Sequence, residues 1–433
     1  MTSSDVRHRD ISRMDLCVAR VALAGAMLFI LAAIPSHAQT FSVLHYFSGG
    51  SDGANPVAGV TVAGPGLLYG TTSAYGSSTN LGTVFKLTQR GSNWILDPLD
   101  VFTGFPDEAP DGSYPQAGVV IGPNGALYGT TANGGVGNGG FGWGTVFEVQ
   151  PPATACKTAI CYWNETILHA FAGRPSDGGF PENGNVVFDQ AGNLYGTAST
   201  QGADGCGIVW ELSPSGVGWT ENVLYNFTDG ADGCDPYSGL TFDSAGNLYG
   251  VTPQGGVGLG TLFQLTPSNG GWVEHSLLTF SGSTGIHPYG TLITDAFGDL
   301  YGTAPDNGPN GGGTVYELSP SNGGWTFSLL YGFSSASCEP MAGVTLGPDG
   351  NLYGVCRVGG AHNNGWVYEV PPNCNQSCTP TDLHDFNFTD GNDPQGAVSF
   401  DANGNLYGTA FSGGTLNCTE FPGGCGAVWE ITP

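Results

Sequence analysis

Asp235, His287, Glu339 and Asp393 recur at intervals of 52, 52 and 54 residues, and each stands directly before a proline. Carboxylates and an imidazole brought together offer oxygen and nitrogen donors to a divalent cation, or a general acid and base to a hydrolase. Earlier in the chain the same pre-proline position holds Asn55, Tyr114 and Phe180. A framework that sets all seven side by side would give a rim part acidic and part aromatic, chemistry that suits calcium or another divalent cation, or a sugar. The plain alternative is seven loop residues on an acidic surface. Other titratable residues fall into motifs too regular for catalysis. His45, His169 and His384 share L-H-x-F, while Glu148, Glu211, Glu317, Glu369 and Glu430 repeat one strand position. Asp189, Asp243, Asp295 and Asp401 repeat one turn position, where an aspartate bonds the turn backbone. A reaction needs its carboxylate once, not in every repeat. Outside these motifs and the first 38 residues only His275, His287 and His362 remain among the histidines, and no H-E-x-x-H or G-x-x-x-x-G-K-[ST] occurs.

Positioning seven such residues requires a repeated element, and the chain has one. "LYG" appears with its tyrosine at Tyr69, Tyr128, Tyr195, Tyr249, Tyr301, Tyr353 and Tyr407. After each copy comes a Gly-rich loop and a strand-like run such as "GTVFKL" or "GIVWEL"; before each comes Pro, small residues and a β-branched run such as "PVAGVTV". A fourth run ending in Phe, such as "WTENVLYNF" at 219–227, separates the units. Four short strands per unit, seven times over, predict an all-β fold: a seven-bladed β-propeller of four-stranded blades. The segment "FSVLHYF" (41–47) matches the Phe-ending run, and the chain finishes on "GAVWEITP", the run that normally precedes it. The N-terminal strand is therefore expected to complete the last blade and close the ring, leaving no open sheet edge.

Composition agrees with that architecture. Of 433 residues 74 are Gly and 28 Pro, yet 11% are aromatic, which describes a turn-rich folded chain and not a disordered one. A net charge of −27 excludes nucleic acid and anionic lipid as partners. The basic stretch "RHRDISR", the apolar run "VALAGAMLFILAAI" and the small-residue site "SHAQ" predict a signal peptide over residues 1–38, with the propeller domain over 39–433. The apolar run falls short of the roughly 20 residues that span a bilayer, so no membrane span is expected in the mature chain. The protein is read as exported, periplasmic or extracellular, and a monomer.

Ten cysteines follow Cys17, an even number that fits an oxidising compartment. Close spacing pairs Cys156 with Cys161, Cys374 with Cys378, and Cys418 with Cys425. In the four-stranded scheme the loops that carry Cys206 and Cys234, and those that carry Cys338 and Cys356, share one end of the ring, which predicts two further bridges. The absence of C-x-x-C argues against zinc held by cysteine.

The unit "DG..P.aGv.fD..GNLYGTt..GG..G.GTVFeL.p...W....L..F" resembles the GloVer tandem repeat of bacterial exported proteins, and its first half is similar to NHL-type propeller repeats. The resemblance covers residues 41–433 and implies an extracytoplasmic repeat protein, often with a C-terminal sorting anchor; here the sequence stops at "WEITP". It brings no catalytic residues. The expectation is a non-catalytic binding or scaffold protein whose ligand is a carbohydrate or another exported protein, with no cofactor beyond a divalent cation at the channel mouth. Two alternatives stand beside it. One is a metal-assisted hydrolase or lyase of NHL-like type built on His287 flanked by Asp235 and Glu339. The other is a structural module of the cell envelope.

Overall fold

A computed structural model describes residues 39–73, 81–103, 111–135, 141–153, 161–216, 218–256, 258–414, 418 and 423–433. The expected signal peptide and Cys156 lie outside the described residues. Residues Thr40–Thr432 form one compact unit. It is a β-propeller of seven four-stranded antiparallel sheets, and no helix occurs among the described residues. The first blade runs outward from the axis as Thr61–Gly64, Leu67–Thr72, Thr83–Arg90 and Asn93–Val101. Five more follow within 120–170, 187–226, 241–279, 293–334 and 345–385. The seventh consists of Ser399–Phe400, Leu406–Ala410 and Ala427–Thr432, with Thr40–Tyr46 as its outer strand.

Each letter of the repeated "LYGT" has its own physical task. The leucine enters the core between blades, where Leu68, Leu127, Leu194, Leu248, Leu300, Leu352 and Leu406 are buried. The tyrosine hydroxyl reaches the turn aspartate and the strand glutamate: Tyr195 donates at 3.1 Å to Asp189 and 2.9 Å to Glu211. The glycine leaves room for the aromatic ring directly across the sheet. A Cβ on Gly70 would sit 2.5 Å from the Phe85 ring, and one on Gly408 2.2 Å from Trp429. The threonine staples one blade to the next, Thr71 donating to Ala117 O at 2.8 Å, Thr197 to Ser238 O at 2.8 Å and Thr303 to Ala342 O at 2.8 Å. An apolar side chain in place of Thr71, Thr197 or Thr303 would forfeit a buried hydrogen bond worth about 1 kcal/mol.

Burial lies between blades, not within them. A representative seam packs Tyr69, Val84, Leu99 and Phe102 of the first blade against Val119, Leu127, Phe147 and Val149 of the second. Each fully buried aromatic or aliphatic side chain there stabilises the ring by roughly 1.5–3 kcal/mol relative to exposure. The last seam uses the same devices across the chain ends. Phe41 pairs with Ile431 and Tyr46 with Ala427, Thr409 donates to Ala58 O at 2.9 Å, and Phe47 packs on Phe85. The ring therefore closes as the repeat pattern predicted.

The turn aspartates serve their own hairpins, with Asp189 accepting from the backbone N–H of Ala191 at 2.8 Å and of Asn193 at 2.9 Å. His45, His169 and His384 each meet an aspartate of the following loop, Asp52, Asp177 and Asp390, at 3.2 Å. Disulfides join Cys206 to Cys234, Cys338 to Cys356, Cys374 to Cys378 and Cys418 to Cys425. The first of these crosses a seam between blades; the second lies within one.

Candidate functional site

Six of the seven pre-proline residues share an unusual backbone. Asn55, Tyr114, Phe180, Asp235, His287 and Asp393 have φ between 54° and 59°, in the left-handed region that side chains other than glycine seldom occupy. A hydrogen bond from the N–H to the preceding blade holds all six there, and in Asn55, Tyr114, Phe180 and Asp393 the carbonyl is bonded as well. The N–H of Tyr114 donates to Leu81 O at 2.7 Å in the loop of the preceding blade, and its carbonyl accepts from Ala132 N at 3.0 Å in its own. Asn55, with Cys425 O and Ser73 N, and Phe180, with Trp143 O and Ser199 N, are clamped alike. The backbone carries the junction, so the side chain at this position is free to vary. Glu339 is the exception: its N–H makes no such bond to the preceding blade, and Cys338 O instead accepts from Gly313 N at 3.1 Å.

The side chains of these seven point to different surroundings. Asp235 borders the central cavity. Asn55 is buried and donates through Nδ2 to Phe411 O of the last blade at 2.9 Å. Phe180 packs edge-on against Trp143. His287 Nδ1 lies 3.2 Å from Asp306, and Tyr114 is half-buried at its junction. Glu339 and Asp393 face a partner that the sequence reading did not single out. Arg357 sits between them, Nε 3.1 Å from Asp393 and Nη1 3.7 Å from Glu339. A divalent cation bound by these two carboxylates would have to displace the guanidinium. His275 and His362, the other histidines outside the repeated motifs, are exposed.

The residue that faces the axis comes two positions later, or three in the third blade. The inner segments of all seven blades enclose a cavity of about 920 Å³, and Val57, Gln116, Asn183, Tyr237, Tyr289, Met341 and Gln395 contribute one side chain per blade to its lining. Pro fixes the turn, and the next residue then enters an inner segment whose side chains alternate between axis and sheet. Tyr237 and Tyr289, from the fourth and fifth blades, meet edge to face with ring centres 5.6 Å apart. Glu182 hydrogen-bonds Tyr237 from behind. Gln395 donates to Asp393 at 2.9 Å. Farther along the same segments the lining turns aliphatic, with Val62, Ile293 and Val344.

Electrostatics keep this wall neutral or negative. Burial raises the Tyr237 and Tyr289 hydroxyls from the ordinary phenol value, with Glu182 adding to the first and Asp306 to the second, so both remain donors at neutral pH. Burial also raises Glu182, against the hydrogen bond from Tyr237, and raises Asp235, where Asp229 adds to the effect. The arrangement offers two aromatic faces, phenolic donors, carboxylate acceptors and amides. Among the described residues lining it, no nucleophile is paired with a base, the geometry that covalent catalysis requires. Tyr237, Tyr289, Gln395 and Arg357 were missed in the sequence. The first three follow the proline by one residue, and Arg357 could have been flagged as one of five basic residues beyond residue 20 in a chain of net charge −27.

The family model described as the Gloeobacter/Verrucomicrobia repeat matches residues 30–161 and 139–340. No curated protein matches the chain. Among solved structures, a candidate 6-phosphogluconolactonase from Bacteroides uniformis is 14% identical, covers 76% of this chain and 84% of its own, and has a TM-score of 0.48. A candidate gluconolactonase is 11% identical, with coverage of 93% and 94% and a TM-score of 0.41. A luciferin-regenerating enzyme is 11% identical, with coverage of 91% and 95% and a TM-score of 0.42. Likenesses this remote carry no argument about substrate.

Proposed function

The chain belongs to the Gloeobacter/Verrucomicrobia repeat family, and from that premise we propose that it is an exported, non-catalytic propeller that binds carbohydrate in its central cavity. The observation that carries this reading is the Tyr237–Tyr289 pair set among Asp235, Asn183 and Gln116 in the cavity wall. Sugars present C–H faces that lie on aromatic rings, and hydroxyls that donate to carboxylates and accept from phenols and amides. Blades that are otherwise near-copies differ at this position, which supports selection for a ligand over selection for the fold. Four disulfides support residence outside the cytoplasm. A glycan array followed by calorimetry tests the proposal. Tyr237→Ala should weaken the binding of a hit at least roughly tenfold, about 1.4 kcal/mol, while leaving the melting temperature within about 2 °C. An array without hits, or a hit that Tyr237→Ala and Tyr289→Ala both leave unchanged, would overturn it.

A further inference from the structure

Three consecutive seams carry a glutamate on the outer strand of the following blade. Glu165 faces Asp100 and Asp111, Glu221 faces His169 and Asp177, and Glu274 faces Tyr225 and Asp232. The middle seam alone combines an imidazole with two carboxylates. Its donor atoms converge: His169 Nε2 lies 3.2 Å from Asp177 Oδ2 and 3.7 Å from Glu221 Oε2, and all three lie within 4.8 Å of one another. Donors bound at the usual zinc distances stand roughly 3.3–3.6 Å apart when the arrangement is tetrahedral. The His169–Asp177 and His169–Glu221 separations of 3.2 and 3.7 Å bracket that range.

Two further features separate this group from an ordinary histidine–aspartate contact. His45–Asp52 and His384–Asp390 have the same 3.2 Å spacing, but neither has a third donor of this kind within reach among the described residues. Glu221 Oε1 is buried with no hydrogen-bond partner, a costly state for a carboxylate oxygen that a cation beside it would relieve. Asp177 is held in place by the N–H groups of Ala172 at 2.7 Å and Gly178 at 2.6 Å, the outer-shell support that fixes a ligand's orientation. His169 and Glu221 keep 19% and 16% of their side-chain surface in solvent, enough for an ion to enter and for water to complete its shell.

We propose that His169 Nε2, Asp177 Oδ2 and Glu221 Oε2 bind one divalent transition-metal ion of the zinc class, pinning the second blade to the third. The site lies on the outer strands, away from the central cavity, and is independent of any ligand there.

The test uses the full untagged chain, stripped with a chelator and titrated with zinc chloride. Metal analysis after gel filtration should find one zinc per chain. The melting temperature should rise by about 3–5 °C once free zinc exceeds its Kd about 100-fold. Glu221→Gln preserves shape and should weaken binding at least about tenfold. His45→Gln, at the matched two-donor pair, should leave both readouts intact. Metal-free melts of each variant separate loss of fold from loss of metal. Zinc content near zero with no thermal shift from zinc or manganese would overturn the proposal. So would equal zinc binding by Glu221→Gln, or loss of zinc in His45→Gln.

Discussion

Glu165 makes the strongest prediction about pH. Its side chain enters the seam between the first two blades, where Asp100 and Asp111 also converge, and Oε1 of Glu165 and Oδ2 of Asp100 are both buried without a hydrogen-bond partner. Burial pushes Asp100 up to about 6, with Asp111 adding to the effect. Asp100 therefore ionises first, and Glu165 must then ionise beside it. Burial and these two neighbours push Glu165 up to about 9 from 4.5. A carboxyl raised in the folded state costs nothing below its unfolded value, and the cost grows as pH climbs from that value to the folded one. At about 1.4 kcal/mol per unit the shift sets a ceiling near 6 kcal/mol. Solvent reaches part of the half-buried side chain, so about 2–3 kcal/mol is the working figure. Glu165→Gln removes the titration and gives Asp100 an amide donor. It should match the parent at pH 4 and exceed it by about 2–3 kcal/mol at pH 9, read by urea denaturation across that range. A variant whose stability runs parallel to the parent at every pH, or falls below it at pH 9, would refute the burial argument.

Further outcomes follow from the closure and from the bridges. Phe47→Ala empties a side chain only 2% exposed at the last seam, and should cost about 3–5 kcal/mol in a denaturation experiment. Replacing Cys338 and Cys356 by serine opens a bridge across 18 residues and should cost about 3 kcal/mol, read by denaturation of the variant beside the parent. Tyr407→Phe removes phenolic bonds of 2.9 Å to Glu430 and 3.3 Å to Asp401, and should cost about 1–2 kcal/mol if the "LYG" tyrosine is structural in every blade.

Blade number, strand order, the closing strand and four disulfides were legible in the residues, because each depends on neighbours within one unit or on comparing one unit with the next. Gly70 beneath Phe85 and Tyr195 between Asp189 and Glu211 are contacts within a single blade, so the sequence repeats whatever makes them. The site was less legible. The seven residues before proline were rightly seen as variable on a constant frame. Only the fold shows why: six take φ near 55° with their N–H bonded to the preceding blade, and the cavity lining is drawn mainly from the residues that follow the proline. Arg357 with Asp393, Tyr237 with Tyr289, and His169 with Glu221 each join residues of two blades, 36 positions apart in the first pair and 52 in the other two. No local propensity specifies such pairs. They depend on the angle between successive sheets around a closed ring, which the packed core between blades sets once all seven are in place.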